Sequence, residues 1–306
     1  MGADRTSLAT LLAGEDAILV PGTPTALMAR IAEHVGFRAV YLGGAALAQT
    51  MLAVPDVGLV TLTELVEAVE RIVAAVDVPV IVDADTGFGG TGNVTRTVQL
   101  LERAGAAAVQ IEDQTFPKRC GHFDDKAVVT REEMAERLLS AVWARQDDRL
   151  AIIARTDAAA VLGMDEAIAR AHLMVDLGAD LVFVEAPSSR SELERIGRDL
   201  SGVPLVVNQV EGGRTPLLPR GDLAAMGYRV ILRPGFATRV AITAVERAFR
   251  LLAADADAEA TAADVFPFGD LQELVGLDAF EHRERVLKAA AAAAAIGDRP
   301  ANVAGE

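Results

Sequence analysis

Cysteine is almost absent from this 306-residue sequence; Cys120 is the only one. A single thiol excludes an internal disulfide and a thiolate zinc cage, and it points to a reducing compartment, most simply the cytoplasm. Basic side chains are scarce too: 29 Lys and Arg stand against 44 Asp and Glu, a formal net charge of −15, with a pI near 4.8. That balance speaks against a nucleic-acid partner, whose phosphates need a basic face, and against an anionic membrane surface. A small anionic substrate is still allowed, since a few basic residues and a metal ion can make a local positive pocket. Long apolar runs are also missing. None approaches the roughly 18–20 residues that span a bilayer, no secretory leader is evident, and the short tract Ala289 to Ala295 reads as helix.

The chain does have apolar residues for a sizeable core: 51% are hydrophobic and mean hydropathy is +0.29. Short Val- and Ile-rich runs alternate with amphipathic stretches. The expected strands are Ala17–Val20, Ala39–Leu42, Val78–Asp83, Ala107–Ile111, Leu150–Arg155, Leu181–Glu185, Pro204–Asn208 and Arg229–Leu232. Their apolar character is continuous, which suits strands covered on both faces. Helices are expected at Leu62–Ala75, Val94–Ala104, Arg131–Ala144, Asp165–Leu177 and Ser191–Leu200, with Thr63 or Thr130 as N-caps and Gly36, Gly105 and Gly178 closing helices. Eight such βα units in about 250 residues fit a (β/α)8 TIM-type barrel. An open doubly wound sheet is the alternative, but Pro21-Gly22-Thr23-Pro24 is not the glycine-rich fingerprint it would favour after strand one. The reading is one barrel domain over 1–306, with a solvated linker at Ala253 to Asp264. Residues 265–306 form a helical extension, with helices at Leu271–Val275 and Leu277–Ala295 that are free to pack on a neighbouring subunit.

Polar residues gather where the strands end: Gly43-Gly44, Asp83-Ala84-Asp85, Glu112-Asp113, Arg155-Thr156-Asp157, Glu185 and Asn208. In a barrel these ends converge on one mouth, where active sites lie. Asp83 and Asp85 project to the same side of an extended segment. Such a pair either caps a turn before Gly87 or holds a hard cation, Mg2+ or Mn2+, and Asp56 and Glu112-Asp113 add acidic oxygens in favour of the metal. Cys120 stands between Lys118-Arg119 and Gly121-His122. Positive neighbours lower a thiol pKa, which serves a nucleophile or the conjugate base of an acid equally. His122 is the one histidine outside an apparent helix; His34, His172 and His282 have helical contexts.

Taken together and in order, the motifs resemble the isocitrate lyase and phosphoenolpyruvate mutase superfamily over nearly the whole chain. The carriers are Tyr41-Leu42-Gly43-Gly44, Pro55-Asp56-Val57-Gly58, Val82 to Gly89, Gln110 to Gln114, Lys118 to His122, Ala154 to Ala158, Val184-Glu185-Ala186, and Asn208 with Glu211 to Pro216. The Lys-Arg-Cys-Gly-His run is the mark of its carbon–carbon lyase branch. The resemblance implies a (β/α)8 barrel, Mg2+ at Asp83 and Asp85 with Asp56 nearby, and a flexible loop carrying Cys120. It implies Cys120, Lys118, His122 and Glu112 as catalytic groups, and Gly43, Gly44, Gly121, His122, Arg155, Glu185, Asn208 and Arg239 around the substrate carboxylates. The expected reaction is retro-aldol cleavage of a 2-hydroxy di- or tricarboxylate, of the 2-methylisocitrate or 2,3-dimethylmalate type, to a 2-oxo acid and an enediolate that Cys120 protonates. A homotetramer with exchanged C-terminal helices is also implied.

This chain departs from the pattern at Gly43, Ala45, Val210 and Leu271, and Glu273 to Asp278 resembles members acting on smaller dicarboxylates. Arg233 before Pro234 is a possible carboxylate partner from another direction, and Val210 to Pro216 also resembles carboxyphosphonoenolpyruvate mutases. The alternatives are therefore phosphonomutase-like chemistry, an oxaloacetate hydrolase or decarboxylase, and a metabolite-binding relative without turnover.

Overall fold

The structure is a computed structural model that describes residues 7–14, 16–119, 121, 126–254, 256–262 and 265–295. Cys120 and His122 lie outside the described residues. The chain divides into two compact units, Met1–Ala244 and Val245–Glu306.

The first unit carries eight strands: β1 Ile18–Pro21, β2 Val40–Leu42, β3 Val80–Asp83, β4 Ala108–Glu112, β5 Ala151–Thr156, β6 Leu181–Val184, β7 Leu205–Asn208 and β8 Tyr228–Arg233. They form one sheet in the order β1-β8-β7-β6-β5-β4-β3-β2, and every pairing is parallel. A parallel bridge between Gly22 and Tyr41 joins the two ends of that order, with the Thr23 N–H donating to the Tyr41 carbonyl at 2.8 Å. The expected (β/α)8 barrel is what forms, and the open sheet is not.

The continuous apolar runs resolve into two layers because successive strand residues point to opposite faces. Ile18, Val20, Ala39, Tyr41, Ile81, Ala108, Ile153, Leu181, Phe183, Val206, Val230 and Leu232 pack in one cluster with Leu8 and Leu11 of the short helix Leu8–Leu12. Their neighbours Val80, Val82, Val109, Ile111, Ile152, Ala154, Val182, Val184, Leu205 and Val207 pack with the helices in a second, larger cluster. The first of these sets has a sequel. Continuing each strand by steps of two from Ile81, Ala108, Ile153, Phe183 and Val206 reaches Asp83, Gln110 then Glu112, Arg155, Glu185 and Asn208. The barrel-facing stripe thus turns from apolar to charged towards the C-terminal ends of the strands.

Helix boundaries follow local chemistry. Thr130 caps Arg131–Ala144 as expected, whereas Thr61, not Thr63, caps Leu62–Ala75 and forms a reciprocal capping box with Glu64. The joints before the strands use glycine in the left-handed region, as at Gly105 (φ 90°), where a side chain would also meet Val73. Carboxylates fasten several connections: Glu33 accepts from the Asp77 and Val78 N–H groups, Glu102 from those of Gln146 and Asp147, and Asp180 from that of Ile152.

In the second unit, the stretch read as a linker contains a short helix, Ala258–Ala262, followed by Phe268–Leu274 and Leu277–Ala295. Phe266, Phe268, Phe280 and Leu287 there are exposed. No helix among the described residues is long and apolar enough to cross a membrane.

Candidate active site

The charged stripe opens into a cavity of about 350 Å³ at the C-terminal end of the barrel. Gly43, Gly44, Asp56, Asp83, Glu112, Lys118, Gly121, Arg155, Glu185, Asn208 and Arg239 all line it. Asp85 is not in its wall but lies behind Lys118 and Gly44: Lys118 Nζ is 2.7 Å from Asp85 Oδ1, and a side chain on Gly44 would meet both groups.

Both open readings of Asp83 and Asp85 bear on this geometry. Asp83 Oδ1 accepts from the Asp85 N–H at 3.1 Å, a side-chain-closed turn, and Asp85 itself is left-handed at φ 50°. Holding a non-glycine residue there costs roughly 1–3 kcal/mol, a strain that functional sites concentrate. The other Asp83 oxygen accepts from the Tyr41 hydroxyl at 3.1 Å. Lys118 Nζ bridges Asp56 Oδ1 at 2.5 Å and Asp85 Oδ1 at 2.7 Å.

Among the described residues, no three acids, histidines or cysteines are gathered into a ready-made metal cage. The donor chemistry still fits a hard divalent ion. Asp56, Asp83, Asp85 and Glu112 are buried carboxylates; Glu112 Oε1 accepts no hydrogen bond, and Asp85 Oδ1 faces the Lys118 ammonium. An all-oxygen set of this kind suits Mg2+ or Mn2+, and the Lys118 ammonium now provides the positive charge between Asp56 and Asp85.

Burial governs the proton affinities. It pushes the Asp85 carboxyl up to about 7, with Lys118 opposing and Asp83 and Asp56 adding. Burial likewise holds Glu112 well above its ordinary value, although Arg155 pulls the other way. For Lys118 burial works downward, but Asp85 and Asp56 outweigh it and keep the ammonium charged. The Tyr41 hydroxyl is raised by burial and by Asp83.

On the opposite side, Arg155 Nε lies 3.3 Å from Glu112 Oε2. Its guanidinium donates to both oxygens of Asp157, at 2.9 and 3.1 Å, and sits over the Phe183 ring. Asn208 Nδ2 donates to Glu185 at 3.0 Å. Gly121 is wedged against this group, for a Cβ there would stand 2.4 Å from Arg155 Nη2. Gln114 grips the chain just before Cys120: its amide donates to the Arg119 carbonyl at 2.9 Å and accepts from the Arg119 N–H at 3.0 Å.

Arg233 does not take the place the sequence suggested. It does not line the cavity; it pairs with Glu211 and sits over Phe236. The Glu211 carbonyl also accepts from Arg239 Nη1 at 2.7 Å. Beside Arg239 the lining is apolar: Ala45, Val210, Pro234 and Ile242. Gln49 and Ile242 line the cavity without having been singled out, Ile242 because it sits on the helix Phe236–Ala253, beyond any strand end. Lys126 and Arg170 were missed as well. A basic residue five positions past a glycine, or mid-helix, carries no visible mark of burial.

The sequence profile of the family described as phosphoenolpyruvate phosphomutase matches residues 8–253. The chain is 40% identical to 2,3-dimethylmalate lyase of Eubacterium barkeri over 268 residues, covering 88% of this chain and 92% of that one. It is also 40% identical to 2-methylisocitrate lyase of Aeropyrum pernix over 277 residues, covering 90% and 89%. Among solved structures, oxaloacetate acetylhydrolase bound to 3,3-difluorooxalacetate superposes with a TM-score of 0.85 at 32% identity, covering 92% of this chain and 96% of that one. Phosphonopyruvate hydrolase in complex with oxalate and Mg2+ superposes with a TM-score of 0.83 at 30% identity, covering 93% and 99%.

Proposed function

Because this chain belongs to the phosphoenolpyruvate phosphomutase family, within the phosphoenolpyruvate mutase and isocitrate lyase superfamily, we propose that it is a divalent-metal-dependent carbon–carbon lyase. Its substrate would be a 2-hydroxy dicarboxylate of the 2,3-dimethylmalate type, with the 2-methylisocitrate type as the tricarboxylate alternative. One observation carries the reading: buried carboxylates and buried cations line one cavity, and the peptide next to the only cysteine packs there against Arg155 and Glu185. Fold alone would not single out this reaction.

Asp83 and Asp85, with Asp56 and Glu112 nearby, are the residues that would hold Mg2+ or Mn2+. Once bound, the ion would lend positive charge to the substrate oxygens. Arg155, Asn208 and Arg239, with the backbone of Gly43, Gly44 and Gly121, would receive the carboxylates, and Glu185 would orient Asn208. Glu112, whose burial raises its proton affinity, takes the hydroxyl proton. As the C–O⁻ becomes C=O, the neighbouring C–C bond breaks and its electron pair moves onto the departing fragment as an enediolate. Cys120 returns a proton to that carbon, with Lys118 and His122 as neighbouring polar partners. Lys118 would move off Asp85 to admit the ion.

The test is turnover of small 2-hydroxy dicarboxylates with Mg2+, reading out the 2-oxo acid. Cys120→Ser should lose most of kcat, and Cys120→Ser activity equal to wild type removes the acid role. Oxaloacetate cleavage without turnover of any hydroxy acid would select the hydrolase reading, which the likeness to oxaloacetate acetylhydrolase keeps in view. Product formed from a phosphonate alone would select phosphonomutase chemistry. The exposed phenylalanines at 266, 268 and 280 support a homo-oligomer, in the family manner a tetramer, and a monomeric mass in solution would count against it. With one thiol and no need of an oxidising environment, the cytoplasm is the proposed compartment.

A further inference from the structure

Lys126 and Asp157 form an ion pair that the reaction above leaves without a task. Their side chains are 2% and 0% exposed, and lysine is rarely so buried unless paired. Lys126 Nζ donates to Asp157 Oδ1 at 2.8 Å and to the Gly121 carbonyl at 2.5 Å. Asp157 is tied to the cavity lining as well, since both of its oxygens accept from Arg155. Its N–H donates to Asp113 at 2.8 Å, and Asp113 is tied in turn to Arg170. Burial would raise the Asp157 carboxyl, but Arg155 and Lys126 together hold it below its ordinary value, so it stays an anion shared by two cations. One of those cations lines the cavity; the other holds the backbone carbonyl of the residue that follows Cys120. Gly121 closes the ring, because a Cβ there would meet Arg155 and Glu185.

We infer that Lys126 is a positioning residue: anchored on Asp157, it holds the Gly121 peptide against Arg155 and Glu185 and thereby sets where the adjoining thiol acts. The role of the thiol rests on the lyase reading; the anchoring does not. A lysine serving stability alone would leave kcat of the folded enzyme unchanged when replaced. A lysine that fixes a peptide in the cavity wall affects turnover more than binding, since a displacement of about 1 Å near the chemistry costs on the order of 10²-fold.

The experiment uses the full chain with Mg2+ and three variants. Lys126→Met removes both donations, Lys126→Gln removes the charge that anchors the side chain on Asp157 and shortens its reach to the carbonyl, and Lys126→Arg keeps charge and donors. On the acid that wild type cleaves best, Lys126→Met should lose about 30- to 100-fold in kcat with KM within about threefold, and Lys126→Arg should recover at least about tenfold of that loss. The second readout is alkylation of the sole cysteine by iodoacetamide, which should be at least about threefold faster in Lys126→Met and Lys126→Gln once the neighbouring peptide is released. If Lys126→Met does not fold, Lys126→Gln carries both measurements. Wild type that cleaves no hydroxy acid would sink the lyase reading and leave alkylation to judge Lys126. Alkylation within twofold of wild type, or an unchanged kcat in a folded variant, overturns the inference.

Discussion

Replacing Gly121 by alanine adds one methyl where the barrel mouth has no room for it. The new carbon would stand 2.4 Å from Arg155 Nη2 and 2.8 Å from Glu185 Cγ and Oε1, whereas ordinary contact begins near 3.4 Å. One side must therefore retreat by about 1 Å. Neither neighbour is a loose end: Arg155 is held by two hydrogen bonds to Asp157 and by the Phe183 ring, and Glu185 is held by Asn208. The displacement falls on Arg155, the arginine proposed to receive a carboxylate, or on the peptide beside Cys120, and either costs on the order of 10²-fold in kcat/KM. Overpacking of this kind removes about 1–3 kcal/mol of stability at most, so Tm should fall by no more than roughly 10 °C and the variant stays folded at assay temperature.

The assay is steady-state formation of the 2-oxo acid, paired with thermal melting. Gly92→Ala is the matched control, for nothing lies within 4 Å of that position in the helix Thr91–Arg103, and alanine there should raise stability by up to about 1 kcal/mol with activity intact. A Gly121→Ala enzyme within about threefold of wild-type kcat/KM would refute the packing argument.

Three further outcomes follow from the same geometry. Asp85 is raised to about 7, so its contribution to stability is fully present below about pH 4 and is lost as pH rises through about 7; Mg2+ should raise Tm more at about pH 8 than at about pH 5, and Asp85→Asn should flatten that difference. Arg170→Met takes the only close cation among the described residues from Asp113, whose wholly buried carboxylate keeps its Thr156 and Asp157 hydrogen bonds, and should cost about 3 kcal/mol in urea unfolding, whereas Arg131→Ala, on the exposed side of Glu166, should cost under about 1 kcal/mol. The apolar lining of Val210, Pro234 and Ile242 predicts a gain of about fourfold in kcat/KM for each methyl added to malate, a gain that Val210→Thr should reduce; equal rates on malate and 2,3-dimethylmalate would contradict it.

The barrel was legible because its strands are buried on both faces and separated by glycine joints. The mouth was legible because charge intrudes at the same phase in each strand. Asp83, Glu112, Arg155, Glu185 and Asn208 all fall where an inward-facing apolar residue would otherwise continue. What escaped notice depends on partners distant in sequence. Lys126 looks like a loop lysine until Asp157, 31 positions later, is brought beside it. Arg233 looks like a free carboxylate partner until Glu211, 22 positions earlier, is found holding it. The Thr61 cap was misjudged by one half-turn because Thr63 has the same chemistry, and only the reciprocal Glu64 bond separates them.

The charge pattern also resolves an apparent conflict, an acidic protein proposed to take up an acid. Asp56, Asp83, Glu112 and Glu185 line the cavity against Lys118, Arg119, Arg155 and Arg239, so the lining is balanced rather than basic. Arg155 is already committed to Asp157, and Lys118 to Asp56 and Asp85. A dicarboxylate entering this site therefore finds positive charge outside these close pairs only on the exposed Arg119 and Arg239, and burying its inner carboxylate unpaired would be prohibitive. A divalent ion on the carboxylate side would supply the missing two charges and release Lys118 from Asp85. Substrate uptake should then depend steeply on Mg2+. Dicarboxylate binding measured by calorimetry should be undetectable in EDTA and restored by Mg2+, while binding that is equally tight without the metal would show that the side chains alone neutralise the substrate.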